Sequence, residues 1–325
     1  MLSRNAQGLY WISRYLERAG HGCRLVQIQY RALQDRTVQE LDRTWLRLYL
    51  SLGREPLGGR LGSNRDDDDF MFADAYTLTD DLTFEPNNAD AIRNCIAAAR
   101  ENARQVRNVI GNEMWTSLNL LYLGMRDLGV EDIWTDRAGN FFVNTQDSIR
   151  GFFGIADNSM YRDNGWHFLQ LGRFVERAQH MTALLDAQLE IFPSARRHVE
   201  PDWRSLLQIA FARGAYSRLN SLDFQPGAVI DFLVSDRLLS HSIRYALEHI
   251  SNSLDVVSEQ RPLAVEARRR AGRVAASLDY DWPNRDAGDD AATRATLGTI
   301  GSACRRLNQD IEASYFNYEI EDSPR

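Results

Sequence analysis

The chain repeats a polar helical motif at a constant offset of 159 residues, and a duplication of that kind restricts the fold before any single residue is interpreted. Arg14 matches Arg173, Glu17 matches Glu176, Arg18 matches Arg177, Ala19 matches Ala178 and His21 matches His180, with no gap. Met1/Met160, Asn5/Asn164 and Leu25/Leu184 extend the match on both sides. Both copies read Arg-x-x-Glu-Arg-Ala-x-His. A looser echo follows, where Phe84-Glu85-Pro86 and Phe224-Gln225-Pro226 each introduce a helical stretch. The expected fold is therefore all-α, a helical bundle of two related halves at 1–145 and 146–318 that together make one compact domain. Residues 319–325 read as a loose tail.

Apolar spacing supports the helical reading. Ile12, Tyr15, Leu16, Ala19, Cys23, Val26 and Tyr30 recur at intervals of three and four, which predicts a helix from Leu9 to about Leu33. Similar patterns predict helices over 41–52, 114–125, 146–160, 166–191, 203–219, 228–234, 238–257, 263–278 and 292–315. Pro86 is expected to open a helix, with Asn87 and Asn88 in its first turn. Gly53 to Asp69 reads as a loop, and Phe141-Phe142-Val143 fits either a short strand or a loop. Strand signals are otherwise nearly absent, so helices must pack on helices.

Charge and cysteine usage narrow the function classes. A net charge of −7 gives no general attraction to phosphate backbones, and Arg268-Arg269-Arg270 has acidic neighbours in Glu259 and Glu266, as a solvated face does. Nucleic-acid and membrane partners are not expected. Cys23, Cys95 and Cys304 are odd in number and far apart, which fits a reducing cytoplasm better than a disulfide framework. The N-terminus lacks the apolar core of a signal peptide.

The chemistry-bearing residues are those of the repeated motif. On the first helix Arg14, Glu17, Arg18 and His21 fall opposite the apolar stripe. Glu17 and His21, like Glu176 and His180, are four apart and reach one point above a helix face. A dinuclear metal site is the less favoured use of them, because bundle sites of that kind use Glu-x-x-His and the arginines oppose cation binding. Glu17 or Glu176 as a general acid or base, with the arginines gripping a carboxylate or phosphate, is a second reading. The plainest is that Arg and Glu form structural ion pairs with the histidines as satisfied neighbours. Asp66 to Asp69 lacks the spacing of a calcium loop, His241 and His249 need no ligand, and no phosphate loop is present. No cofactor is expected.

Leu9-Tyr10-Trp11-Ile12-Ser13-Arg14-Tyr15-Leu16-Glu17-Arg18-Ala19 resembles the opening of the bacterial alpha-E domain family. The stretch from Gly165 to Ala178 does so too, as does Ala99-Arg100-Glu101-Asn102-Ala103-Arg104-Gln105-Val106-Arg107 with Glu113-Met114-Trp115 and Asn119. The resemblance implies a helical protein whose genes accompany an ATP-grasp ligase and a transglutaminase-like or proteasome-like peptidase. It further implies an accessory role in making or modifying a peptide-like product. Arg100, Glu101 and Arg104 share a helix that could meet the Glu17 face and complete a polar centre.

Overall fold

A computed structural model describes residues 2–33, 35–56, 68–134, 138–195, 200–220, 224–258 and 265–316. Among these residues there are fourteen helices and no strand. Two of them organise the rest: α1 (Ser3–Ala32) and α8 (Asn164–Ile191) lie against each other through the middle of the molecule. The helices α4 (Ile92–Gln105) and α7 (Ala138–Ser159) pack on α1. On α8 pack α2 (Val38–Ser51), α12 (Ile243–Ser258) and α14 (Asp290–Tyr315). The outer layer is completed by α5 (Asn112–Leu123) against α4 and α7, and by α13 (Val265–Tyr280) against α12 and α14.

Neighbours all round explain why α8 has no single apolar stripe. It buries Leu169, Leu171, Val175, Ala178, Leu184 and Leu185 around its circumference, together with Glu176, Arg177 and Gln188. A helix enclosed on every side is usually apolar on every side, so the buried polar positions must find partners. The helix starts are written locally. The Asp163 carboxylate accepts from Gly165 N and Trp166 N at the head of α8, Thr37 and Glu40 form a capping box before α2, and Pro226 opens α11 (Pro226–Ser235).

α1 and α8 approach closely because Gly172 stands at their crossing. A β-carbon there would lie 2.9 Å from the Tyr10 carbonyl carbon and closer still to its oxygen and to Ser13 Oγ. At the offset of 159 residues, Gly172 corresponds to Ser13, so small residues occupy both sides of the contact.

The helix boundaries differ from the sequence reading in several places; 238–242, read as helical, form turns, and α12 begins only at Ile243. Pro86 lies in a run of turns, and the helix begins only at Ile92. There Asn88 folds the chain back by accepting from Asp90 N and donating to the Asp81 carbonyl. The stretch 203–219 is two helices, α9 (Glu200–Ile209) and α10 (Arg213–Leu219), broken at Phe211, whose φ is +54°. Phe211 N bonds to Gln208 O and Ala212 N to Leu207 O, the hydrogen-bond pattern of a helix stop in which glycine usually holds the left-handed position. Phe141, Phe142 and Val143 are neither strand nor loop but lie within α7, which runs through position 145. A helix over 68–83, α3 (Asp68–Thr83), is a further difference; its sequence mixes acidic and apolar residues too evenly to show a stripe. Asp66 and Asp67 of the acidic run and all of the tail 319–325 lie outside the described residues.

Candidate functional site

The two motif copies exchange partners across the α1/α8 contact. Glu176 receives Arg14 Nε at 2.5 Å, Arg18 Nε at 2.7 Å and His180 Nε2 at 3.2 Å. Glu17 receives Arg177 on both oxygens, at 2.5 and 3.0 Å, with Arg173 Nε 3.8 Å away. Each glutamate is thus held by arginines of the other helix. Both carboxylates stay ionised. Burial pushes each carboxyl upward, but Arg177 with Arg173 and His180 bring Glu17 below its ordinary value, and Arg14, His180 and Arg18 hold Glu176 well below it.

The environments of the two glutamates nevertheless differ. Glu176 is 2% exposed and enclosed; its arginines continue to Asn308 and Gln179 from Arg14 and to Asp90 from Arg18. Glu17 lies on the wall of a cavity of about 350 Å³ between α1, α7, α8, the end of α9 and the turn before α12. His21, Arg24, Arg150, Arg173, Arg177 and His241 share that wall. Leu16, Ile149, Phe153, Met181 and Ile209 make its apolar part.

Several of the cavity groups are held by specific contacts. Arg24 donates twice to the Gln208 carbonyl, at 2.8 and 2.6 Å, at the C-terminal end of α9, where that carbonyl also accepts from Phe211 N. The Phe211 ring lies under the guanidiniums of Arg24 (3.9 Å) and Arg150 (4.8 Å) and 5.1 Å from His241. Arg177 also donates to Ser240 O at 2.9 Å. The rings of His21 and His180 stack with centroids 4.5 Å apart.

Eight of the motif residues therefore come together: Arg14, Glu17, Arg18, His21, Arg173, Glu176, Arg177 and His180. Arg100, Glu101 and Arg104 do not join them. α4 turns Ile92, Cys95, Ile96, Ala99 and Ala103 inward. That leaves Arg100 bonded to Asn119 and stacked 4.7 Å over Tyr122, and Arg104 paired with Glu101 in solvent. Sequence reasoning did not find Arg24, Arg150, Phe211 or His241 as site residues. Arg24 lies seven residues, two turns, beyond Glu17 and was within reach of the periodicity; Arg150, Phe211 and His241 arrive from remote segments and carry no local signal.

Burial and neighbouring cations depress two cavity histidines. His21 lies well below its ordinary value through burial and His180, and His241 through burial, Arg177 and Arg173. Their unfolded-state value is near 6.5, so folding stability from keeping them neutral is fully present above that pH and is lost as pH falls below it. We expect a loss of roughly 1.4 kcal/mol per histidine for each pH unit below about 6.5, until the folded-state value is reached. Melting temperatures between pH 7 and 5, in buffers without phosphate, check this; His241→Gln should flatten the slope.

Among the described residues no helix is long and apolar enough to cross a membrane, and no group of three or more His, Cys, Asp or Glu is placed to hold a metal ion. The three cysteines are free and buried.

Comparison with known proteins places this architecture among relatives. The family model Alpha-E, described as a predicted alpha-helical domain with a conserved ER motif, matches residues 1–316. An uncharacterized protein of Mycobacterium bovis is 24% identical over 258 residues, which is 76% of this chain and 29% of that protein. An uncharacterized protein of Mycobacterium tuberculosis matches to the same extent. No solved structure matches the chain.

Proposed function

Because the chain belongs to the Alpha-E family, we propose that it is an accessory protein of an ATP-grasp-type amide ligase system, assisting the synthesis or modification of a peptide-like product. The observation that carries this reading is the state of the motif glutamates. Both are ionised and both are engaged by guanidiniums, so their first task is to join α1 to α8. General acid–base work by Glu17 or Glu176 is less well supported, since a carboxyl held low by two arginines is a weak proton acceptor.

The chain spans less than a third of the curated relatives it matches, which supports a helical module that works beside other domains. The ATP-grasp and transglutaminase-like partners are proposed on the family resemblance, and the cytoplasm as the setting on the three reduced thiols. We also read the chain as two related units. Support comes from the reciprocal exchange of Arg and Glu and from Ser13 meeting the position of Gly172 at the crossing.

Co-expression with an ATP-grasp ligase of the same genome is expected to give a complex that survives size-exclusion chromatography. Separate elution of the two proteins at micromolar concentration would count against the accessory role.

A further inference from the structure

The two motif copies are matched in sequence but not in how they use their side chains. Around Glu176 the arginine and the histidine of the pattern are both bonded, Arg14 at 2.5 Å and His180 at 3.2 Å. Around Glu17 their counterparts are both released. Arg173 Nε stands 3.8 Å from the carboxylate with no hydrogen bond, and His21 Nε2 is buried without a partner. Both released groups lie on the wall of the cavity, whereas Arg14, Arg18 and Glu176 do not.

Charge on that wall is unbalanced in a countable way. Among the described residues four guanidiniums line the cavity, and Glu17 is the only carboxylate that does. Arg177 is matched by Glu17, and Arg150 by Asp147 at 2.6 Å. Among the described residues Arg24 has carbonyl and amide acceptors and the Phe211 ring, but no ion pair, and Arg173 has a distant oxygen of a carboxylate already taken, the Phe153 ring and the field of Asp157, but no hydrogen-bonded carboxylate. Among the described residues these two positive charges therefore have no hydrogen-bonded counterion.

Holding them there is costly. Burial with Arg150 and Arg31 pushes Arg24 down to about 10, and burial with Arg177 lowers Arg173. A bound anion would relieve that cost, and the neutral His21 could turn a ring N–H toward it. Leu16, Ile149, Phe153 and Met181 give the wall an apolar part beside Gln146, His180, Ser240 and His241, and the volume of about 350 Å³ exceeds what a bare inorganic anion fills.

We propose that this cavity binds a small dianion with an apolar remainder, a phosphate monoester or a dicarboxylate, whose two charges are met by Arg24 and Arg173 while the apolar part lies against Phe153 and Met181. The site goes beyond the accessory role proposed above and does not depend on it, since it requires no partner protein. The unequal sides of the α1/α8 contact then have a purpose: one glutamate joins the helices, and the other sets the edge of a recognition site.

Isothermal titration near pH 7.5, where a phosphate monoester is largely dianionic, tests the assignment with three probes. These are phenyl phosphate, phenylsuccinate and benzoate, the last supplying the ring with one charge only. At least one dianion is expected to bind ~10-fold or more tighter than benzoate, and the better of the two identifies the headgroup. Arg24→Gln and Arg173→Gln should each weaken that dianion by about tenfold or more, while Arg104→Gln on the far face of α4 leaves it unchanged.

Binding of benzoate as tight as that of both dianions overturns the charge assignment. Absence of binding by all three at millimolar concentration overturns the site, as does unchanged affinity in both cavity variants. Should either variant fail to fold, the imidazole resonances of His21 and His241 in the unaltered protein decide the matter. They must shift on titration with the dianion, and resonances that stay put reject the proposal.

Discussion

Replacing Glu176 by glutamine is expected to destabilise the protein by about 3–5 kcal/mol, the usual cost of removing one partner from a buried ion pair. The amide keeps the shape of the side chain, so the loss reports charge and hydrogen bonding rather than packing. Arg14, 4% exposed, and Arg18 would face an uncharged group, and the amide NH2 would replace one of the two oxygens that accept from Arg14, Arg18 and His180. For a chain of 325 residues that corresponds to a fall in melting temperature of roughly 4–7 °C. Glu17→Gln should cost less, because Arg177 keeps the Ser240 carbonyl and the cavity admits solvent to Arg173. Glu101→Gln, on an exposed pair, should change stability by less than about 1 kcal/mol. Thermal melts of the three variants check the order; equal effects of Glu176→Gln and Glu101→Gln would refute the ion-pair role.

Gly172→Ala is the second large effect, expected to cost about 3 kcal/mol or more and to reduce soluble yield. The added methyl group would overlap the Tyr10 carbonyl group, which is backbone of the central helix and cannot rotate away. The α1/α8 contact would have to widen, stretching the exchanged ion pairs along its length. Gly20→Ala is the paired control. Its β-carbon would meet only the Ile149 methyl groups at 3.8 and 3.9 Å, so the gain in helix propensity of about 0.5–1 kcal/mol should appear. Chemical denaturation of both variants separates crowding at the crossing from a general cost of adding a methyl group.

How far the sequence could be read is seen in particular residues. The repeated motif pointed to Glu17, Glu176, Arg14, Arg18, Arg173 and Arg177, and these meet, because a polar face enclosed by other helices has to pair with something of matching chemistry. The all-helical class was also legible, since period-3.6 patterns fill the chain and strand signals do not. Arg100 was grouped with that centre on helical spacing alone, but spacing gives a face and not its neighbour; Asn119 and Tyr122 on α5 took it. Helix ends were misjudged where side chains override propensity, as Asn88 does after Pro86 and Phe211 does between α9 and α10. The cavity was not legible, because it is made where α7, the end of α9 and the turn before α12 converge on α1 and α8.

The exchange of partners between α1 and α8 also sets a timetable for biogenesis. Arg14 and Glu17 leave the ribosome with the first helix, but the residues that neutralise them lie 160 and more positions further along. At roughly 5–20 residues per second that interval lasts on the order of ten to thirty seconds. During it α1 can associate with α4 and α7, which precede α8 in the chain, and Arg18 can meet Asp90, but Arg14 and Glu17 await their α8 partners. Final consolidation must wait for α8, so a nascent chain stalled before residue 164 should remain sensitive to protease while one released in full does not.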